Sequence, residues 1–410
     1  MIAEIPQGLA EMLKQVSGFI YPNEVEIHWS ILIVVYPYLT GLVAGAFILA
    51  SLYHVFHRDE LRPIGRLSLV ASLGFLLAAP ATLQLHLGHP ERSFNIMLTP
   101  NPSSAMAMFG FIYAAYLALL VFEIWLVHRV DIIMLASRSR GVQRWFYKVL
   151  ALGVYDVSEE SRHVDHGVLV VLAALGTPGA ALLHGYVGFI FGAVKANPWW
   201  STPLMPIIFL CSAIVSGIAM VVILYQIGMK CSGRRIDAAC MQSLARWLWL
   251  FVILSVTLEL LEIMTLAYEA ADEWLIIGPL LGDQLAFSFI GIQLIFGAMI
   301  PIILLGVVVL MSRYLTDQIR NTLCFVASLM LLVQVFAMRW NVVIGGQIFS
   351  KSLRGFREAH VPGLFEKEGV ALAILIFVFP LVFIALFNRV LPVFEPADTG
   401  ETNEAEGQPT

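Results

Sequence analysis

The sequence predicts an all-α, polytopic transmembrane protein, and two observations carry that reading: its bulk composition and the recurrence of long apolar runs. Of 410 residues, 59% are hydrophobic and 13% are charged, against about 45–50% and about 25% in ordinary globular domains. Apolar runs of about 20 residues recur along the whole chain, each long enough to cross a hydrocarbon core of about 30 Å. Membrane lipid is therefore the solvent for most of the surface.

Nine segments meet that criterion, over 31–53, 66–87, 106–128, 168–193, 204–229, 246–268, 284–311, 321–343 and 369–391. Pro301 lies inside the seventh, where it can kink one helix, and a short extra span near residue 275 widens the expected range to eight to ten helices. Ahead of them, Glu4, Glu11, Glu24 and Glu26 stand against a single Lys14. The N-terminus therefore lacks the basic start of a signal peptide. Ile5, Leu9, Met12, Leu13, Val16 and Ile20 fit one face of an amphipathic helical arm lying at the interface or packed on a partner. The acidic tail after Pro396 reads as disordered.

Orientation follows from the loops, because basic residues are retained on the cytoplasmic side. The loops after the first, third, fifth and seventh segments carry 15 Lys and Arg, and the opposite side carries seven. The N-terminus is thus expected outside, in the periplasm of a two-membrane bacterium, with the protein in the inner membrane. The longer loops around 89–104, 195–203 and 341–369 then fall on the outer side. The stiff Asn197-Pro198-Trp199-Trp200 stretch suits a fixed surface near the headgroups, where a water-soluble partner docks.

Two classes of chemistry find no support. Cys211, Cys231, Cys240 and Cys324 form no CxxC pair, so neither a disulfide nor a cluster is assigned. A net charge of −5 is too small to imply a polyanionic partner, and nucleic-acid binding is not expected.

Ionisable residues inside the apolar segments are the most informative, since each is costly unless it faces a cavity or a partner. They are Glu123, His184, Glu259, Glu262 and Arg339, with His86 and Asp283 nearer the outer ends. Glu259 and Glu262 are three apart and share a helix face; they read as a proton path or as a structural pair with Arg339. Glu123 lies near His128 and Arg129, either a proton-path residue at the inner mouth or one side of a snorkelling ion pair. His184 follows the Gly176-Thr177-Pro178-Gly179 kink, where a ligand can approach. A b-type haem needs two opposed axial histidines; His86 and His184 are the only pair available, and no haem is expected. At the outer end of the second segment, His86, His89, Glu91 and Arg92 offer donors and a titratable carrier for a quinone headgroup, as Tyr36 and Tyr38 do on the same side. A solvated helix cap accounts for the same residues.

Four stretches carry a resemblance. Tyr36 to Ala46 (YPYLTGLVAGA), Leu87 to Phe94 (LGHPERSF) with Asn101, Pro102 and Ser103, His184 to Ser212, and Arg339 to Gln347 (RWNVVIGGQ) resemble the NrfD/PsrC family of membrane quinone-interacting subunits. The third stretch is most similar to the longer HybB, DsrP and QrcD branch. The resemblance implies a quinone-reactive subunit of a respiratory oxidoreductase with no redox centre of its own, neither haem nor metal. It implies two four-helix bundles, over 29–193 and 194–343, with a periplasmic loop and final helix over 344–395, an arm over 1–28 and a tail over 396–410. It implies a menaquinone site in the first bundle near the outer face, beside a ferredoxin-like partner that holds 4Fe–4S clusters. A further catalytic partner of molybdopterin, hydrogenase or cytochrome c type belongs to such a complex. In the shorter branch a His of the first helix and a Tyr of the fourth contact quinone; alignment through Gly41 and Pro178 puts Tyr36 and Thr177 there, a departure in both positions.

The alternatives are a haem-free membrane anchor and an ion or solute transporter. Intramembrane carboxyls argue against a pure anchor, which gains nothing from their cost. The acidic pair, with Glu123, His128 and His184, makes proton translocation a possible accompaniment of quinone turnover.

Overall fold

The computed structural model describes residues 27, 29–269, 272–350, 355–357, 359 and 362–394. The arm expected over 1–28, apart from Ile27, and the tail over 396–410 lie outside the described residues. Among those described, nine helices are long and apolar enough to cross a membrane. They are α1 (Ile31–His54), α2 (Arg62–His86), α3 (Ala105–Val127), α6 (Glu159–Gly192), α7 (Met205–Cys231), α8 (Ala238–Tyr268), α10 (Phe287–Leu310), α11 (Asp317–Val343) and α12 (Val370–Val390). Two short helices, α4 (Arg129–Arg138) and α5 (Gly141–Leu150), fill the long loop after α3, and a six-residue α9 (Trp274–Pro279) stands where the extra span was expected. Six residues rise about 9 Å, too little to cross a bilayer.

Side-chain caps set the starts. Ser30, Ser104, Ser158, Asp237 and Thr316 accept backbone N–H bonds at the first turns of α1, α3, α6, α8 and α11, as such residues do where early amides lack helical partners. α6 and α8 begin eight or nine residues before their apolar runs because polar first turns extend the helix beyond hydropathy. α10 carries the largest departure: it is wound as a π-helix over Phe287–Met299 and becomes α-helical at Ile300. Pro301, which has no N–H to donate, sits in the first turn after that change of register.

α1 packs on α2 and α6, and α3 on α6; α7 packs on α8 and α11, and α10 on α8 and α11; one continuous hydrophobic core runs through both groups, and α12 packs on α2. The halves meet along α1 and α7, backbone to backbone. A Cβ on Gly45 would lie 2.1 Å from the Ala213 carbonyl, and one on Gly217 would lie 2.4 Å from the Gly45 backbone. Gly41 and Gly45 on one helix, with Ala213 and Gly217 on the other, form the small-residue stripe that lets membrane helices approach closely. α1, α2 and α7 are thereby mostly buried, whereas α3, α6, α8 and α12 turn most of their apolar surface outward, where lipid covers it.

One face carries the ends of α2, α6, α8 and α11 and the starts of α1, α3, α7, α10 and α12. Two of the sequence stretches singled out above clamp together there. Trp199 and Trp200 donate their indole N–H groups to the carbonyls of Asn341 and Val342 at 3.0 and 2.6 Å, and the Asn197 amide donates to Gly346 at 2.7 Å. Gly346 is required, since a Cβ there would fall 2.0 Å from the Trp200 indole nitrogen.

Candidate functional site

Just inside that face, the joint between the halves holds a fully buried arginine, Arg339 of α11. Its guanidinium stacks on Phe209 at 3.9 Å and donates to His184 Nε2 at 2.9 Å, to the Ser212 hydroxyl at 2.7 Å and to the Phe209 carbonyl at 3.3 Å. The arginine can only donate, so His184 Nε2 must accept, which leaves the ring proton on Nδ1. Nδ1 lies 3.3 Å from the Thr40 hydroxyl; Thr40 in turn sits 3.2 and 3.3 Å from the carbonyls of Tyr36 and Pro37. A neutral imidazole thus bridges α1 to α11. Gly41 makes room for it, since a Cβ would stand 3.3 Å from the His184 ring.

Beside Arg339, in the second half, a cavity of about 330 Å³ opens among the Trp199–Met205 loop, α8, α10 and α11. Its walls are mainly apolar, and its polar groups include Glu259, Glu262, Thr202, Ser201, Thr265, Gln293 and Asn341. Glu259 is buried and accepts from the Gln293 amide at 2.9 Å, with the Ser255 hydroxyl at 3.5 Å. Gln293 accepts from the Asn341 amide at 2.7 Å, and Asn341 accepts from Ser288 at 2.6 Å. This amide chain holds Glu259 in one orientation. Glu262 is half-buried on the same cavity wall. Among the described residues neither carboxyl forms an ion pair with Arg339; the structural pairing weighed from sequence is replaced by the amide chain around Glu259.

In the first half, Tyr36 packs edge-on against Phe109 at 6.2 Å, and Phe109 stacks with Tyr186 and tilts against Tyr113 at 6.0 and 6.1 Å. The Tyr36 hydroxyl has no hydrogen-bond partner among the described residues. Tyr38 faces the other way, donating to the Leu332 carbonyl at 3.1 Å between Phe336 and Phe377. Thr177 bonds back to its own helix at Ala173, 2.8 Å away.

The outer stretch of the second segment divides in two. His86 contacts Glu368 at 2.5 Å and Ser30 at 3.4 Å, tying α2 to the starts of α1 and α12. Burial pushes the Glu368 carboxyl up, but hydrogen bonds from His86 and Ser30 and the charges of His86 and Lys367 outweigh it, holding the group below the usual carboxylate range. His89, Glu91 and Arg92 are exposed, with His89 and Glu91 in contact at 2.9 Å. At the opposite face, the His128 ring nitrogens lie 2.9 and 3.2 Å from the carbonyls of Ile124 and Pro392, an anchor for the chain after α12. Glu123 is buried, and neither of its oxygens has a partner among the described residues. Sequence reasoning passed over Gln293, Asn341, Thr202 and Ser212; the signal available was a polar amide inside each of two apolar runs.

The sequence profile of the polysulphide reductase NrfD family matches residues 22–351, which hold the joint, the cavity and the clamp. The chain belongs to the NrfD family. A selenate reductase subunit of Mesobacillus selenatarsenatis is 28% identical over 405 residues, covering 93% of this chain and 89% of the relative. The Hdr-like menaquinol oxidoreductase integral membrane subunit of Archaeoglobus fulgidus is 23% identical, with 89% and 85% covered. Escherichia coli NrfD is 28% identical over 230 residues, 55% of this chain and 67% of that protein. This NrfD-family chain is therefore a multi-pass integral membrane subunit of an oxidoreductase complex.

Proposed function

We propose that this chain is the quinone-reactive subunit of its complex, exchanging electrons between menaquinone or menaquinol and an iron–sulfur subunit docked on the Trp199–Trp200 face. The observation that carries the reading is the His184 bridge. A quinone gains or loses protons with its electrons, and a neutral imidazole held between Thr40 and Arg339 joins an aromatic cluster in one half to a carboxyl-bearing cavity in the other. The cluster of Tyr36, Phe109, Tyr113 and Tyr186 offers ring faces for a headgroup and a phenol for a carbonyl oxygen. It lies between α3 and α6, whose lipid-facing surfaces give a hydrophobic tail a way in. Glu259 and Glu262 then serve as the proton carriers on the other side of the His184 bridge, and His86 with Glu368 fixes the rim. The exposed His89, Glu91 and Arg92 belong to the docking surface. The menaquinol named for the archaeal relative supports this quinone class.

A second reading places the headgroup in the Glu259 cavity itself, which has the apolar walls and few convergent polar groups of a small-molecule site. A photoreactive menaquinone analogue, used on the intact complex and mapped by mass spectrometry, separates them. The first predicts labelled peptides around 36–40, 105–116 and 177–189; labels at 198–208 and 289–293 would move the headgroup to the cavity. No labelling of this chain that excess menaquinone competes away would refute both.

A further inference from the structure

The interior of the first half ends, at the face opposite the Glu259 cavity, in a cluster that the quinone reading leaves unused. Glu123 of α3 is 0% exposed, and both of its carboxyl oxygens lack a hydrogen-bond partner among the described residues. His54 of α1 is 8% exposed, and its Nε2 also lacks one. Neither side chain is on a lipid-facing surface.

The two residues stand at one depth. Phe47 of α1 and Tyr116 of α3 meet across the core with ring centroids 5.5 Å apart. His54 and Glu123 each lie seven residues further along helices that run in the same direction, so each is about 10 Å beyond that contact. Below them is a cavity of about 280 Å³ whose lining includes His54, His57, Asp59, Asp165, His166 and Val127. Glu123 is one helical turn above Val127 on the same face of α3. A half-open polar cavity therefore ends one turn short of a buried, unpartnered carboxyl.

Charge decides what the carboxyl holds. An ionised carboxylate with neither water nor partner costs several kcal/mol, and the nearby cations are committed elsewhere. Arg66 of α2 pairs with Asp131 of α4 at 2.8 Å, and Arg129 of α4 pairs with Asp165 of α6. His128 is held by backbone carbonyls, and Tyr116, two turns above, has a buried hydroxyl without a partner. The titratable and charged groups that line the cavity below Glu123 are Tyr53, His54 and His57 of α1 and its turn, Asp59, Arg66 of α2, and Asp165 and His166 of α6. A buried carboxyl without a partner among the described residues, one turn from a cavity lined by imidazoles and carboxylates, suits a proton as its ligand.

We propose that Glu123 and His54 form a proton-loading site, filled from the face opposite the Glu259 cavity through the His57, Asp59 and His166 mouth. Glu123 holds the proton as a neutral acid, and His54 passes it between carboxyl and cavity water. Reduction of one quinone takes two electrons from the iron–sulfur partner and two protons, and oxidation returns both; that these protons pass through Glu123 rests on the function proposed above.

Two measurements on the intact complex test the site. The infrared spectrum in the protonated-carboxyl region should contain a band that exchanges in heavy water and is missing in Glu123→Gln. With the complex in vesicles carrying a pH dye, Glu123→Gln should slow proton exchange at the His57 face during quinone turnover by about a hundredfold, with complex yield unchanged, and Glu123→Asp should restore part of it. His166→Gln should slow the exchange of the Glu123 band while leaving the band in place, which keeps the test open if Glu123→Gln assembles poorly. An unchanged infrared band in Glu123→Gln, or wild-type proton exchange in that variant, would overturn the proposal. Absence of any quinone turnover in the wild-type complex would refute the quinone reading while the band still decides the site.

Discussion

Arg339 shows how much chemistry hangs on one side chain. Its guanidinium is desolvated, stacked on Phe209 and bonded to His184 and Ser212, with no acid in ion-pair contact among the described residues. Planarity and the fork of donors are what the site uses, and a lysine supplies neither. Arg339→Lys should therefore lower quinone-linked turnover by about a hundredfold or more, while Arg339→Met, which leaves His184 without its donor, should lose it entirely; steady-state rates on equal amounts of assembled complex decide. Glu259→Gln and Glu262→Gln should assemble normally but slow turnover or uncouple it from proton movement, and normal rates with normal proton uptake in both would remove the pair from the path. At the rim the sign of the pH effect follows from Glu368. Its carboxyl sits below the ordinary range in the folded protein, so its contact with His86 stabilises fully above the unfolded carboxyl range and is lost as pH falls through the folded value. The thermal midpoint in detergent should drop on that acid limb, and Glu368→Gln should flatten it. His184, Glu259 and Arg339 were legible because an ionisable group in an apolar run stands out. Gln293 and Asn341 were not, since neutral amides cost less and their partners lie 34 and 48 residues away. The same limit hid His54 and His166, which the sequence places at segment ends where a histidine is unremarked.

At the scale of the helices, hydropathy found all nine long apolar helices among the described residues, and most ends agree within a few residues. It placed the starts of α6 and α8 late because their first turns are polar, and it had no signal for the π-wound half of α10, whose register depends on tertiary packing. Gly297 there lies so close to α11 that a Cβ would stand 2.3 Å from the Gln334 side chain. The α1–α7 contact is a further case in which the residues were visible and their pairing was not: the Gly41–Gly45 spacing is in the first helix of the sequence, but its partner stripe is about 170 residues away. Gly45→Leu should part the halves, since even a methyl group there meets a backbone carbonyl at 2.1 Å, and a core overpacked this way loses about 1–3 kcal/mol or more. Loss of complex from membranes, read by immunoblot against Gly88→Leu as an open-space control, checks it.

For the whole molecule, the two halves divide the work. The first holds the aromatic cluster and the Glu123 site, the second holds the Glu259 cavity, and His184 with Arg339 joins them across the α1–α7 contact. Both ring nitrogens of His184 are engaged by Thr40 and Arg339, which leaves that histidine no free nitrogen for haem iron; the purified protein should show no Soret band, and a stoichiometric haem b signal would contradict this. On the function proposed above, this chain gives its complex reactivity toward quinone. The direct measurement is electron exchange between a menaquinol analogue and the iron–sulfur clusters of the purified complex, followed optically with the chain present, absent, or carrying Arg339→Met. Exchange is expected only when the wild-type chain is present. Equal rates without the chain, or solute movement by the isolated chain in vesicles with no redox partner, would contradict it.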